Sequence, residues 1–463
     1  MLLAAGLVVG AAALSAGQPT AIQHFTLAQA VQYALDHYPA VKAALEESNA
    51  SAAAVDVARS AYLPRLDSLW QSNRATANNI FGQVLPQSVI PAMSGPVLTA
   101  TSADSVWGSA AGAFLTWEPM DFGLRKATVS GAEAAVARSK ASEALTRLDV
   151  AHAVAAQFLA TVAAERTIVA ATADLGRREI LARIAHVLVD NQLRPGAEAS
   201  RADAERAAAQ TRVIQAQQLL TLARVALART LGLPSSAVTI EAADLLERVP
   251  PGSLGDGAAA TAHPLVALHQ SAVNAARTTE AILSHTDRPR VYVESSVFAR
   301  GSGANPSGTF DGGANGLSLE RANWAAGVQV LFPNLFDFGS LRARKAAAAA
   351  TERRETALYD EALLTVSSGR EAATAAVQAA RAVAANTPIQ LAAAQQSEAQ
   401  AQARYQAGLA TLTEVADAQE LLAQSEYQDE IARVDIWRAL LDEASAQGSL
   451  APFLQLASMP GAP

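Results

Sequence analysis

The chain has 463 residues, of which 51% are hydrophobic and 17% charged, and its formal net charge is −8 at pH 7. This mildly acidic balance gives no basis for a nucleic-acid partner. The sequence contains no cysteine, which excludes disulfides, thiolate metal sites, thiol catalysis and the attachment of a lipid to a cysteine.

An apolar run from Leu2 to Leu14 opens the chain and is too short to cross a bilayer as a helix. The small residues after it suit a signal-peptidase site, so residues 1–17 are predicted to be a secretory signal peptide. Because no basic segment precedes the run, an N-terminal core helix is the alternative. No other stretch has eighteen consecutive apolar residues, so we expect no helix that spans a membrane.

Landmarks in the first half of the chain return in the same order in the second half. They are two prolines, an Asp-Phe-Gly turn and a glycine, found at Pro39, Pro64, Asp121 and Gly196 and again at Pro264, Pro289, Asp337 and Gly408. A shift of about 212 to 225 residues relates each pair, which indicates one duplicated unit. The sequence predicts a first repeat over residues 25–235, a linker over 236–257, a second repeat over 258–450 and a C-terminal tail over 451–463.

Each repeat is predicted to contain a helix, two strands, a long helix, a turn and a further helix. The long helices cover residues 123–190 and 340–407, and the helices after the turns cover 197–231 and 411–447. At 1.5 Å per residue, each long helix would measure roughly 100 Å. Apolar residues three and four apart, with many alanines among them, predict close coiled-coil packing of these helices.

Four segments between the helices are predicted to be strands, at residues 65–74, 107–117, 290–300 and 323–332. Their apolar residues alternate, most clearly in the second repeat, and long loops rich in Gly, Asn, Ser and Pro separate the members of each pair. Four strands cannot close a barrel, and an open sheet edge cannot face lipid because its amides would lack partners. Three chains would supply twelve strands, so the pattern predicts a homotrimer with a transmembrane β-barrel.

Four of the five tryptophans fall in these predicted strands, at Trp70, Trp107, Trp117 and Trp324. Aromatic residues form girdles where a β-barrel meets the lipid headgroups. These side chains are therefore predicted to lie at the membrane interface, in contact with lipid. Packing in an aromatic core is the alternative.

The repeat, the turns DFGLRKA and FDFGSLRARKA, and the tip YQAGLATLTEVADAQELL resemble TolC-like outer-membrane efflux proteins over about residues 25–450. The resemblance implies a mostly α fold with a small β part. A trimer would build a long coiled-coil α-helical barrel in the periplasm and a 12-stranded β-barrel in the outer membrane. It also implies docking of the periplasmic turns onto an adaptor (membrane fusion) protein and an inner-membrane pump. The adaptor-facing tips would then contain Arg194, Pro195, Gly196, Gly408 and Leu409.

The second tip carries candidates for a pore constriction. Glu414 and Asp417 lie three residues apart on one helix face, so a trimer would bring six carboxylates together. The resemblance places an acidic aperture ring here and matches Tyr405 to a tyrosine of the family's locking network. The family's basic locking residue is replaced by Ala410. Two solvated surface charges are the alternative interpretation of Glu414 and Asp417.

No catalytic motif is visible, and the seven histidines show no metal-binding spacing, so the sequence predicts no enzyme, cofactor or metal site. The leading interpretation is the outer-membrane channel of a tripartite system that exports drugs or other toxic small molecules. The same duct dedicated to type I protein secretion and a soluble periplasmic coiled-coil scaffold are the alternatives. Cargo selection is expected to reside mainly in the pump.

Overall fold

The computed structural model describes residues 23–76, 85–90, 103–246, 250, 253–255, 257–305, 307, 309–333 and 338–459. The predicted signal peptide, residues 1–17, lies outside the described residues, as does Asp337 of the second Asp-Phe-Gly turn. The described chain is mostly helical with a small β part, which confirms the predicted class of secondary structure.

The first half of the chain begins with a short strand and two helices, continues with two longer strands, and ends with two long helices. Its elements are β1 (Gln23–Phe25), α1 (Leu27–His37), α2 (Pro39–Ser60), β2 (Arg65–Thr76), β3 (Ser105–Met120), α3 (Leu124–Asp190) and α4 (Gly196–Leu231). Two short elements, β4 (Val238–Ile240) and α5 (Ala243–Leu246), lie within the segment interpreted as a linker.

The second half repeats this order with one helix before its strands. Its elements are α6 (Pro264–Leu283), β5 (Arg290–Ser302), β6 (Arg321–Leu331), α7 (Phe338–Gln406), α8 (Leu412–Gln447) and α9 (Ala451–Ser458). The helix α9 lies in the segment interpreted as a tail. The strands β2, β3 and β5 run further than the predicted segments because cross-strand pairing continues beyond the alternating apolar residues.

The chain divides into two compact units. The first contains residues 23–45, Ser142–Ala267 and residues 361–459, and the second contains Glu46–Ala141 and Leu268–Asp360. Each unit therefore combines segments from both repeats, as expected when the two copies fold together.

The largest core lies in the first unit, where α1, α3, α4 and α8 pack together. Its centre includes Phe158 and Leu159 of α3, Leu440 of α8 and Trp437, whose indole nitrogen donates to the carbonyl of Leu245 at 2.9 Å. Phe453 of α9 stacks edge-on against Trp437 and is fully buried. The strand β4 pairs in parallel with β1. The linker and tail segments thus contribute to this core.

By length and composition alone, one described helix, α3, contains an 18-residue window apolar enough to cross a membrane. The prediction of no such helix rests on the lack of an uninterrupted apolar run, whereas this window tolerates a few charged residues. Half of that window is buried inside the protein, which is the behaviour of a helix that packs in a protein core.

The second unit contains a four-stranded antiparallel sheet in the order β2-β3-β5-β6. The register of the sheet places all four strand tryptophans on one face. On β3, Trp107, Ala111 and Trp117 are separated by even numbers of residues, and Trp70 of β2 pairs with Ala111. On β5, Val293 pairs with Trp117 and Val297 pairs with Trp324 of β6. We call this surface the tryptophan face. Trp70 and Trp324 expose 73% and 78% of their area, so neither is a core residue of this chain.

The opposite surface of the sheet, the charged face, carries Asp67, Glu294, Arg300 and Arg321, with Arg300 and Arg321 directly opposite each other. One apolar cluster interrupts it, where Phe298 packs with Leu69, Ala110 and Ile90. The sheet therefore has one apolar, exposed face and one polar face, which matches the alternation that a half-buried strand requires.

The turn between β3 and α3 is stabilised by the first Asp-Phe-Gly sequence. The carboxylate of Asp121 accepts hydrogen bonds from the amide of Gly123 at 3.1 Å and from Nε of Arg125 at 2.9 Å. Phe122 and Gly123 both adopt positive φ, at 51° and 103°. A Cβ at position 123 would lie 3.1 Å from the His285 ring. Glycine therefore suits this position because it tolerates the positive φ and because it leaves room for His285.

Candidate functional site

The two helix-turn-helix tips have the same backbone geometry. In the first tip, Gln192 has a φ of 58° and the amide of Leu193 donates to the carbonyl of Leu188. In the second, Gly408 has a φ of 75° and the amide of Leu409 donates to the carbonyl of Arg404. Both are Schellman turns, which end α3 and α7 with one left-handed residue.

This geometry corrects the alignment of the tips. The repeat landmarks in the sequence match Gly196 with Gly408, but the left-handed residue equivalent to Gly408 is Gln192, and Gly196 is the first residue of α4. The shift between the repeats at the tip is therefore about 216 residues. The same shift relates Gly232 to Gly448, which follow the last helix of each repeat. Under this shift Arg194 is equivalent to Ala410, and Glu198 is equivalent to Glu414.

Tyr405 is the centre of the contacts between the tips. Its side chain is buried, and its hydroxyl donates to Oε2 of Glu198 in α4 at 2.9 Å. The guanidinium of Arg194 lies 5.1 Å from the centre of the Tyr405 ring, within range of a cation–π contact. These contacts tie the end of α7 to the first tip.

Arg194 links the same residues from the other side. Its Nη1 lies 3.6 Å from Oε1 of Glu198, and its Nη2 donates to the carbonyl of Ala410 at 3.2 Å. Arg194 thus contacts both Glu198 of the first tip and the backbone of the second tip. We call Arg194, Glu198 and Tyr405 the tip lock.

Burial and the neighbouring carboxylate both act on the ionisation of Tyr405. Burial away from water and, to a smaller extent, the hydrogen bond to Glu198 raise the pKa of the Tyr405 phenol from a usual 10.0 to about 12. The hydroxyl therefore stays protonated, and remains a donor, at any physiological pH. An apolar cluster that includes Leu181, Leu412 and Val415 surrounds the ring.

The remaining tip residues lie at the surface of the chain. Leu193 and Leu409 expose about 70% of their area, at 69% and 71% respectively. Pro195 is the residue before α4, where an N–H group is not needed, and Gly196 begins the helix. The end of each turn therefore presents an apolar side chain to its surroundings.

Glu414 has a local structural role. It is the third residue of α8, and its Oε1 accepts from the amide of Thr411 at 3.2 Å while the Thr411 hydroxyl accepts from the amide of Glu414. This capping box stabilises the first turn of α8. Asp417 is exposed one turn later, and among the described residues it has no hydrogen-bond or salt-bridge partner.

Sequence reasoning missed Arg194 and Glu198 as partners of Tyr405. Both are ordinary charged residues in their local sequence, and Glu198 lies 207 residues from Tyr405 along the chain. A constant shift of about 216 residues would have aligned Arg194 with Ala410 and Glu198 with Glu414, and so marked both as tip residues, although no sequence signal pairs them with Tyr405. Among the residues that the structure describes, no group of three or more His, Asp or Glu side chains could hold a metal ion.

The sequence profile of the outer membrane efflux protein family matches residues 30–233 and 259–441. Together these segments cover most of the chain and follow its two repeats. The chain belongs to the outer membrane efflux protein family. Members of this family are outer-membrane channels that transport substances out of the cell, and their trimers work with adaptor proteins and pumps.

Solved structures of outer-membrane channels share the fold. VceC from Vibrio cholerae has a TM-score of 0.72 at 18% identity, covering 91% of this chain and 96% of VceC. CmeC from Campylobacter jejuni has a TM-score of 0.73 at 16% identity, covering 91% of this chain and 85% of CmeC. The open state of MtrE from Neisseria gonorrhoeae has a TM-score of 0.68 at 17% identity, with coverages of 91% and 89%. No curated protein matched the sequence.

Proposed function

We propose that three copies of this chain form an outer-membrane duct that exports small toxic molecules together with a periplasmic adaptor and an inner-membrane pump. The observation that carries the proposal is the sheet in the second unit, which has two edges, β2 and β6, each with one neighbour among the described strands. An edge of this length needs a partner in lipid, because unpaired amides there cost several kcal/mol each.

The two faces of the sheet support closure into a barrel. Exposed apolar side chains of the tryptophan face, including Trp324, Val328 and Val297, would contact lipid. The charged face would line the aqueous interior, where Asp67, Glu294 and Arg321 remain hydrated. Four strands from each of three chains give twelve, an even number that suits an antiparallel barrel.

Trp107 and Trp117, which lie toward opposite ends of β3, are proposed to mark the two membrane interfaces. Trp70 and Trp324 lie level with Ala111 and Ala113, between those ends, and are proposed to face the lipid hydrocarbon. Trp117 donates from its indole nitrogen to the carbonyl of Tyr62 at 3.1 Å, and Arg74 lies over the Trp107 ring at 5.7 Å. A polar anchor beside an apolar ring suits the boundary between headgroups and hydrocarbon.

The helices are proposed to continue the duct through the periplasm and to close it at the tips. The tip lock holds α7 and α8 against α3 and α4, and the six carboxylates of Glu414 and Asp417 would surround the closed aperture of a trimer. The exposed Leu193 and Leu409, with their neighbours Pro195 and Gly408, would contact the adaptor. Release of the lock on docking would open the passage.

The sequence leaves two alternatives to this function. A coiled-coil scaffold without a membrane part gives no use for a sheet with an exposed apolar face. A duct for type I protein secretion would have the same subunit, so the distinction depends on the pump.

Reconstitution tests the proposal. The purified chain should run as a heat-modifiable trimer from the outer-membrane fraction and produce discrete conductance steps in planar bilayers. Expression with its native adaptor and pump, in a host that lacks its own export channel, should lower susceptibility to small toxic compounds. A water-soluble monomer without conductance would contradict the channel, and export of a protein but no small compound would favour the secretion duct.

A further inference from the structure

The first unit contains two separate apolar cores. The larger one extends along α3 as far as Ala163, and the smaller one, around Tyr405, begins on α3 at Leu181. Between them, the buried side chains of α3 include a charged pair, Asp174 and Arg178. The tip therefore has its own core, joined to the main core across a layer that contains charges.

Arg178 is the central residue of this layer. Its Nε donates to Asp174 at 3.0 Å, its Nη1 to Glu205 of α4 at 2.7 Å, and its Nη2 to Glu420 of α8 at 2.7 Å. Only 1% of the Arg178 side chain is exposed. One guanidinium thus connects three helices.

A second arginine reinforces the same layer. Nη1 of Arg212 in α4 lies 3.1 Å from both Asp174 and Glu420. A buried guanidinium is tolerated when several carboxylates satisfy it, and it becomes costly when they are removed. The two arginines therefore find hydrogen-bond acceptors and opposite charges in the three carboxylates of Asp174, Glu205 and Glu420.

The contacts divide unequally between the repeats. Asp174, Glu205 and Arg212 share the first repeat with Arg178, whereas Glu420 is the single member from the second repeat. Glu420 is also the most exposed member, at 57% of its side chain. If α8 moved away, Glu420 would become hydrated while Arg178 kept Asp174 and Glu205. The link between the repeats can therefore break without leaving a buried charge unpaired.

We propose that Glu420 is a positioning residue that holds α8 against α3 and α4 and releases it when the tip opens. It lies eight residues from Leu412, the start of α8, or about 12 Å along the helix. It forms a further contact between the repeats beyond the tip lock, alongside the ion pair of Arg177 in α3 with Glu426 in α8, whose Nη2 and Oε2 atoms lie 2.7 Å apart. This inference rests on the proposed channel function.

The chain offers a matched control for this role. Glu205 and Glu420 contact the same guanidinium at the same distance of 2.7 Å. Glu420 also contacts Arg212, but if these ion pairs served stability alone, neither Glu205→Gln nor Glu420→Gln would change the open fraction of assembled trimers. A releasable contact between repeats would make them different, because only Glu420 joins the moving helix.

The experiment measures the open fraction of purified trimers in planar bilayers for the wild type, Glu205→Gln and Glu420→Gln, at low and at high salt. Glu420→Gln should raise the open fraction roughly tenfold and reduce its dependence on salt, while Glu205→Gln behaves as the wild type. Both variants should unfold at similar temperatures, so that the difference reports position rather than stability.

Equal open fractions in the two variants would overturn the role of Glu420. If Glu420→Gln fails to assemble, Arg212→Gln removes the second contact to Glu420 and should raise the open fraction above that of Glu205→Gln; no rise would equally overturn it. A wild-type protein without conductance would instead contradict the channel function itself.

Discussion

Arg194 in the first tip donates a hydrogen bond to the backbone carbonyl of Ala410 in the second, at 3.2 Å. These two residues occupy equivalent positions in the two repeats. The duplicated chain has therefore placed a basic group at one copy of the position and an alanine at the other. Arg194 of the first repeat therefore supplies the basic side chain of the tip lock.

The first prediction concerns the hydroxyl of Tyr405. Tyr405→Phe should raise the open fraction of the channel about tenfold or more, because a hydrogen bond to a charged acceptor contributes about 1.5 to 3 kcal/mol. Single-channel recording measures the effect. Tyr427→Phe is the control, since this tyrosine of α8 is 45% exposed and takes no part in the tip lock. Equal open fractions of the wild type and Tyr405→Phe would show that the hydroxyl does not hold the tip closed.

The lock should also respond to alkaline pH. The folded protein raises the pKa of Tyr405 to about 12, from 10.0 in an exposed tyrosine, so its contribution to the closed state is complete below pH 10. That contribution should fall as the pH rises from about 10 to 12, because deprotonation removes the donor and places a second negative charge beside Glu198. Conductance of the wild type should increase over this range. Tyr405→Phe, which cannot ionise, should lack that step, and an identical step in this variant would assign it to another group.

If the tryptophan face contacts lipid and the charged face contacts water, the same substitution at two adjacent residues of β6 should have different effects on trimer assembly. Val328→Arg should lower trimer yield, because it would place a charge against lipid. Val328 lies level with Trp117 across the sheet, near the proposed interface, so the cost should be about 1 kcal/mol or less. Gln329→Arg, one residue later on the charged face, should assemble normally. Trimer yield on unheated gels measures both variants. A loss for Gln329→Arg and none for Val328→Arg would reverse the assignment of the faces.

The acidic ring can be tested without disturbing the helix. Glutamine at position 414 keeps the capping box, so Glu414→Gln combined with Asp417→Asn removes the charge while preserving α8. The pair should reduce cation selectivity and weaken block by divalent metal ions, with no change in trimer yield. Reversal potentials in a salt gradient and titration with a divalent chloride provide the measurements. Unchanged selectivity and block would leave these carboxylates as surface charges.

Much of the fold follows from local sequence. Alternating Trp324, Ala326 and Val328 can place their side chains together only on one face of a strand, and repeated prolines and glycines mark the ends of helices. The linker and tail were predicted less well. The strand β4 and the helix α9 are short, and they are held by distant partners, β1 and Trp437, that no local pattern identifies.

The candidate site was predictable in part, for a similar reason. Tyr405 was found through the resemblance of its surrounding sequence. Its partners, Arg194 and Glu198, come from the other repeat. The shift of 212 residues read from Gly196 and Gly408 differs by four from the shift of 216 that the turn geometry gives, and this difference misaligns both partners. Glu414 shows the opposite problem, because the sequence from Thr411 to Glu414 fits a capping box as well as an acidic pore ring. The structure shows that the Glu414 carboxylate does accept the capping hydrogen bond from Thr411.

The most direct test of the trimeric barrel uses the absence of native cysteine. Ser68→Cys on β2 is combined in turn with Ala322→Cys, Ala326→Cys and Val330→Cys on β6, all on the tryptophan face. The pair Ser68→Cys and Ala325→Cys, on opposite faces, is the control. If β2 of one chain pairs with β6 of the next, oxidation in the outer membrane should give a covalent trimer for at least one of the three pairs. Monomers alone at every position would contradict the barrel.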